Sequence, residues 1–179
     1  MRAMNTREVA ALTGLDEGAI RKDVELGVIE AGSPPRFAEP MLVYFSARAL
    51  CPLELGVEDR RRLYLGVSRA VASRAAQHML GRGWLLNIEE ISTELRSRIA
   101  RFDLWRAHVV ASDDILGGEP VFPNSRLAVR RVGEMLRRGA SIEELREDYP
   151  FLSDEDLEFA PLFSMAYPKM GRPRAQAAA

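Results

Sequence analysis

Apolar residues recur at three- and four-residue intervals through most of this chain, and the pattern predicts helices separated by glycine- and proline-marked breaks. Thr6 is placed to cap a helix starting at Arg7, with Val9, Ala10 and Leu12 on its apolar side. Gly14 supplies the permissive backbone of a sharp turn, and Asp16 is the next N-cap. In the helix it opens, Ile20 and Val24 follow helical spacing and Gly27 ends the run. Helix, glycine turn and capped second helix form the layout of a helix-turn-helix.

Pro34, Pro35 and Pro40 forbid a long helix in the next segment. Leu42-Val43-Tyr44-Phe45 is expected to be a short strand, so that a hairpin-like wing follows the helix-turn-helix, and Ser46 to Leu50 a short helix. From Val57 to Met79 a long helix is predicted, in which Leu63, Leu65, Val67, Val71 and Ala75 alternate with Arg60, Arg61, Arg62, Arg69 and Arg74. Gly81 and Gly83 end it, Trp84 to Ile88 suits a short strand, and Ile91 to Arg106 suits a helix. Along that helix Leu95, Ile99, Phe102 and Trp105 mark one buried stripe. A turn-rich link, Ser112 to Pro120, sets off three further helices. The first covers Ala128 to Arg138. The second opens at Ser141, which makes a capping box with Glu144, and the third opens at Ser153, with Asp156 three residues on.

The expected fold is therefore mainly α. It has a winged helix-turn-helix over residues 1–50, a helical middle with a short strand pair over 51–111, and a three-helix, helix-turn-helix-like unit over 112–168. A flexible basic tail is expected over 169–179.

Composition narrows the class of protein. The 179 residues suffice for one large core or two small ones. No window approaches the roughly 18–20 apolar residues that cross a bilayer, and the polar N-terminus is not expected to be a secretory signal. One cysteine, Cys51, cannot form an internal disulfide, which fits a cytoplasmic location. The net charge of -1 hides a gradient: residues 51–110 carry 10 basic and 7 acidic side chains, residues 111–179 carry 9 and 12. Phosphate contact depends on local charge, so DNA binding remains compatible with the near-neutral total.

Thr6 to Leu15 followed by Ile20-Arg21-Lys22, with Gly27-Val28-Ile29 and Tyr44-Phe45-Ser46 beyond, resembles the winged helix-turn-helix of the MerR class. It departs in the wing, where prolines and an acidic residue replace a basic run. A second resemblance lies between Asp114 and Pro168. Ile115-Leu116-Gly117-Gly118-Glu119-Pro120-Val121-Phe122, Ser125 to Val129, Gly139 to Leu145 and Asp148 to Ser153 occur in order over roughly 55 residues. They resemble a helix-turn-helix-like family known only as domain-of-unknown-function family 433. That family is similar to antitoxins of the VapB type, whose partners are PIN-domain ribonucleases. The resemblance implies an antitoxin that binds such a nuclease and represses its own operon.

Arg21 and Lys22 lie where a recognition helix meets the major groove, Arg21 to reach a base or phosphate and Lys22 a phosphate. Arg7 and Arg36 complete the expected DNA-binding set. Asp23 and Glu25 on the same helix fit a merely solvated face. Arg60, Arg61 and Arg62 are read first as a solvated helix face and second as a backbone-contact patch. The carboxylates that open the last helix, from Asp154 to Glu158, would repel phosphate, so the C-terminal unit is assigned to dimerisation or partner contact. They also suit a helix N-terminus. In the tail, Arg172 and Arg174 are candidates to enter a nuclease's carboxylate cluster, because the guanidinium fork pairs bidentately with carboxylates. The Gly-Arg-Pro core there also fits an AT-rich minor groove, or an end with no role of its own.

Catalysis finds no constellation. His78 and His108 lack paired ligand spacing, Cys51 lacks an activating context, and Gly117-Gly118 is no phosphate loop. The chain is expected to be no enzyme, to need no cofactor or metal, and to act as a homodimer on operator DNA, with a PIN-like ribonuclease toxin as partner and no membrane association. A stand-alone regulator with a ligand-sensing middle, and a protein-interaction adaptor, are the competing expectations.

Overall fold

A computed structural model describes residues 2–80 and 84–169. Among them are eight helices and one β-hairpin. Helix α1 spans Thr6–Thr13 and is capped one residue earlier than expected. The Asn5 side chain accepts from the N–H groups of Arg7 and Glu8, while the Glu8 carboxylate accepts from the Asn5 N–H. This reciprocal capping box satisfies donors that a Thr6 cap would leave open. Gly14, with φ +76°, closes α1. Helix α2, Glu17–Glu25, starts on the predicted Asp16 cap, whose side chain accepts from Ala19.

Residues 30–38 form a loop that returns to the N-terminus, where Met4 and Phe37 exchange backbone hydrogen bonds of 3.2 and 2.9 Å. This loop stands in the wing's place. The strand expected at Leu42–Phe45 is instead part of helix α3, Glu39–Leu50, which also absorbs the short helix expected from Ser46. All four of those apolar side chains are fully buried, as a helix enclosed on several sides requires. Pro40 sits in its first turn, where no intrahelical N–H is missed.

Helix α4, Val57–Ser73, ends well before Met79 because Arg74 turns left-handed, with φ +55°. The chain then forms strand β1, Gln77–Leu80, antiparallel to β2, Trp84–Asn87. The hairpin lies on α4 through His78, whose ring approaches Gly66 so closely that a Cβ there would stand 2.0 Å from Nε2. Helix α5, Ile88–Arg106, buries the predicted stripe of Leu95, Ile99, Phe102 and Trp105.

Short backbone bridges, Val110–Val121 and Val121–Ala128, lead into α6 (Val129–Arg137), α7 (Ile142–Asp148) and α8 (Asp154–Ala166). Both predicted capping boxes, Ser141 with Glu144 and Ser153 with Asp156, are formed. Helices α6 and α8 cross at Gly133, where a Cβ would lie 2.3 Å from the Ala160 carbonyl oxygen. One hydrophobic core then runs through the molecule, because α1 packs on α3, α5 and α8.

Candidate nucleic-acid interface

The outer face of the helix-turn-helix carries cations. Arg7 on α1 and Arg21 and Lys22 on α2 are all exposed. Arg21 Nη2 donates to Glu17 Oε1 at 2.6 Å, and Arg7 Nε lies 3.6 Å from the same oxygen. These three side chains border a cleft of about 430 Å³ with Asn5, Thr6, Ala166, Tyr167 and Pro168. Arg36 is exposed in the loop beside Phe37 and pairs with none of them. The structure thus brings Arg7 and Arg21 together over a carboxylate that the sequence reading did not single out. Glu17 sits four residues before Arg21, and that spacing was the available signal.

The inner face of α2 reverses the reading of Asp23. Its carboxylate is fully buried, taking hydrogen bonds from the Tyr44 hydroxyl (2.8 Å) and Arg48, with Arg60 Nη1 at 2.9 Å. Burial, and then the bond and charge of Asp23, hold the Tyr44 phenol well above its usual range. Asp23 is therefore no solvated acid that repels DNA; it faces the same side as Ile20, three residues earlier.

The basic run of α4 is likewise divided. Arg60 is buried on Asp23, and Arg61 donates to the carbonyls of Leu26 (2.8 Å) and Gly27 (3.4 Å) at the end of α2. Only Arg62 matches a solvated face, 3.6 Å from Asp59. Two arginines of α4 thus anchor α2, Arg60 from behind and Arg61 at its exposed end.

The acidic start of α8 is answered within the chain. Asp156 accepts from the Trp105 indole N–H at 2.8 Å, Arg101 of α5 pairs with Glu155 and Glu158, and Arg146 pairs with Asp154. These carboxylates cap α8 and dock it on α5.

The end of α8 meets the start of α1. Glu8 accepts from the Tyr167 hydroxyl at 2.5 Å and from Arg2 at 2.8 Å, while Arg106 donates to the Tyr167 oxygen at 2.6 Å. Burial would raise the Glu8 pKa, but the bonds from Tyr167, Asn5 and Arg2 hold it below the usual carboxylate range. Burial and the Glu8 carboxylate push Tyr167 up. Arg130 binds the Tyr167 carbonyl and, at 2.6 Å, Glu119, beside which Lys169 Nζ lies at 3.5 Å. Arg172 and Arg174 lie outside the described residues.

His78 packs on Gly66, and His108 Nδ1 lies 2.9 Å from the Leu104 carbonyl oxygen. Among the described residues no group of three or more His, Cys, Asp or Glu is placed to hold a metal ion, and no helix is long and apolar enough to cross a membrane.

The fold is that of a mainly helical protein whose N-terminal helix pair, α1 and α2, shares one core with the three-helix unit of α6, α7 and α8. Residues 109–163 of that unit match the family model of DUF433, a protein of unknown function. Over 103 residues the chain is 32% identical to the uncharacterised protein y4eO of Sinorhizobium fredii (strain NBRC 101917 / NGR234), which covers 54% of this chain and 47% of that protein. The chain therefore spans about half the length of the curated relative it matches. No solved structure matches it.

Proposed function

We propose that the chain is a DNA-binding antitoxin: it represses its own operon through the helix-turn-helix and neutralises a PIN-like ribonuclease by direct binding. The observation that carries the DNA-binding part is the sorting of charge on α2. Arg21 and Lys22 point outward beside Arg7, while Asp23 is withdrawn into an ion cluster behind the helix. Such a face can meet phosphates and base edges in the major groove, with Asp23 withdrawn from it and Glu17 and Glu25 left at its surface. The toxin-binding part rests on the match of the C-terminal unit to DUF433, together with the resemblance of that family to VapB-type antitoxins drawn from the sequence. Arg172 and Arg174 are its candidates for pairing with the nuclease's carboxylates. The protein then acts as a cytoplasmic homodimer, binding two half-sites, with no chemistry of its own.

Co-expression with each neighbouring reading frame tests this. A nuclease that co-purifies and is toxic alone, together with salt-dependent binding of the upstream DNA, is the expected result. Arg172→Ala with Arg174→Ala then releases toxicity; unchanged neutralisation would remove the tail from the mechanism.

A second reading, a ligand-responsive regulator, is favoured by one feature. A cleft of about 530 Å³ lies between α3, α4 and α5, lined by Arg74, Ser92 and Arg96. Its α4 wall belongs to the helix that holds α2 through Arg60 and Arg61. No co-purifying partner, with a stable DNA-binding dimer, would favour that reading.

A further inference from the structure

We infer that Glu17 is the residue that sets DNA selectivity on this face, by competing with phosphate for Arg7 and Arg21; the inference rests on the DNA-binding reading above. One carboxylate oxygen serves both guanidiniums, Arg21 at 2.6 Å and Arg7 at 3.6 Å. The Arg21 contact follows ordinary i,i+4 helix spacing. The Arg7 contact does not, because Arg7 belongs to α1 and Glu17 to α2. The two helices therefore converge their outward cations on a single acid.

That arrangement has little to do for the fold. The side chains of Arg7, Arg21 and Glu17 are 45%, 59% and 34% exposed, and exposed ion pairs contribute little to stability. Asp16 already caps α2. For DNA the arrangement matters more. A guanidinium accepts a phosphate or a carboxylate as partner through the same fork. On an arbitrary duplex the available contacts are phosphates, so binding must displace Glu17 from both arginines and place its charge against the backbone. On a matched site Arg21 meets a guanine edge, and Glu17, one turn earlier, accepts from the amino group of a cytosine. The acid then opposes the wrong partner and takes part with the right one, as selectivity by exclusion requires.

The test compares the full chain with Glu17→Gln, a near-isosteric change, on an arbitrary duplex and on the DNA upstream of its own gene, across a salt series. Glu17→Gln should bind the arbitrary duplex about tenfold more tightly. Its salt dependence there should steepen by a slope of about 0.9 to 1.8, one or two further phosphates engaged. The preference for upstream over arbitrary DNA should fall about tenfold or more. In an Arg7→Ala, Arg21→Ala background the same change should give no gain beyond that of Glu25→Gln. Glu25→Gln, on an exposed acid of α2 that pairs with neither arginine, controls for net charge. A folded Glu17→Gln protein no tighter on arbitrary DNA than the wild type, or a gain matched by Glu25→Gln, overturns the inference. A wild-type chain that binds no duplex even at low salt overturns the DNA-binding reading itself.

Discussion

Tyr167 donates its hydroxyl proton to Glu8 across 159 positions of sequence, joining the residue that closes the last helix to the one that completes the cap of the first. The acceptor is buried and charged, and its second oxygen holds the Asn5 N–H of the capping box. Losing the hydroxyl therefore weakens a helix cap and the contact between α8 and α1 together. Tyr167→Phe should cost about 1.5–3 kcal/mol, the range for hydrogen bonds to charged groups. Urea unfolding measures it, and a shift under about 0.5 kcal/mol, the size of an ordinary surface change, would contradict the assignment.

The same carboxylate predicts how stability responds to acid. Glu8 has a folded pKa below its ordinary 4.5, since the bonds from Tyr167, Asn5 and Arg2 outweigh the opposing effect of burial. Glu119 is lowered in the same way, Arg130 and then Lys169 overcoming burial. A depressed folded pKa contributes stability that is fully present above the unfolded value and is lost as pH falls through the folded one. Urea midpoints should thus stay level from neutral pH down to roughly 5 and then drop below about 4.5, where the unfolded chain takes up protons first. Glu8→Gln should flatten part of that drop; an acid limb identical to the wild type's would show that Glu8 does not contribute to it.

Local signals were legible in the chain and distant ones were not. The caps at Asp16, Ser141 and Ser153 involve partners three residues away, so their residue types announce them. The buried stripe of α5 is periodic and long enough to stand out. Helix α3 was hidden because Leu42 to Phe45 are buried on every side, which erases the alternation that separates helix from strand. The early end of α4 was hidden because an arginine, not a glycine, takes the left-handed turn. At the candidate site, the outward cations followed from the helix-turn-helix layout. The roles of Asp23 and Glu17 depend on Arg48, Arg60 and Arg7, residues of other helices that no local pattern connects to α2.

Gly133 offers a test of how the C-terminal unit is packed. A methyl group there would lie 2.3 Å from the Ala160 carbonyl oxygen and 2.9 Å from Ser164 Oγ, and the first of these is backbone. In an unhindered helix interior, glycine to alanine gains about 1 kcal/mol. Here the sign should reverse: Gly133→Ala forces α6 from α8 and should lose about 3 kcal/mol, at the upper end for overpacking. Thermal melts followed by circular dichroism decide it, and a variant as stable as the wild type would mean that the two helices do not cross this closely.

The ion cluster behind α2 should be the most sensitive point of the N-terminal half. Asp23 is fully buried with Arg60 and Arg48 against it, and Arg61 holds the end of the same helix from outside. Asp23→Ala strands a buried guanidinium at Arg60, which should cost about 3–5 kcal/mol. Replacing both partners, Asp23→Ala with Arg60→Leu, removes the stranded charge and should recover a large part of that loss, so the double variant should be more stable than Asp23→Ala alone. Arg62→Ala, two residues along α4 but exposed, should stay within about 0.5 kcal/mol of the wild type. Urea unfolding of the four proteins separates the outcomes. If Asp23→Ala and Arg62→Ala cost the same, the cluster does not hold α2. If the double variant is no better than the single one, the loss comes from packing rather than from an unpaired charge.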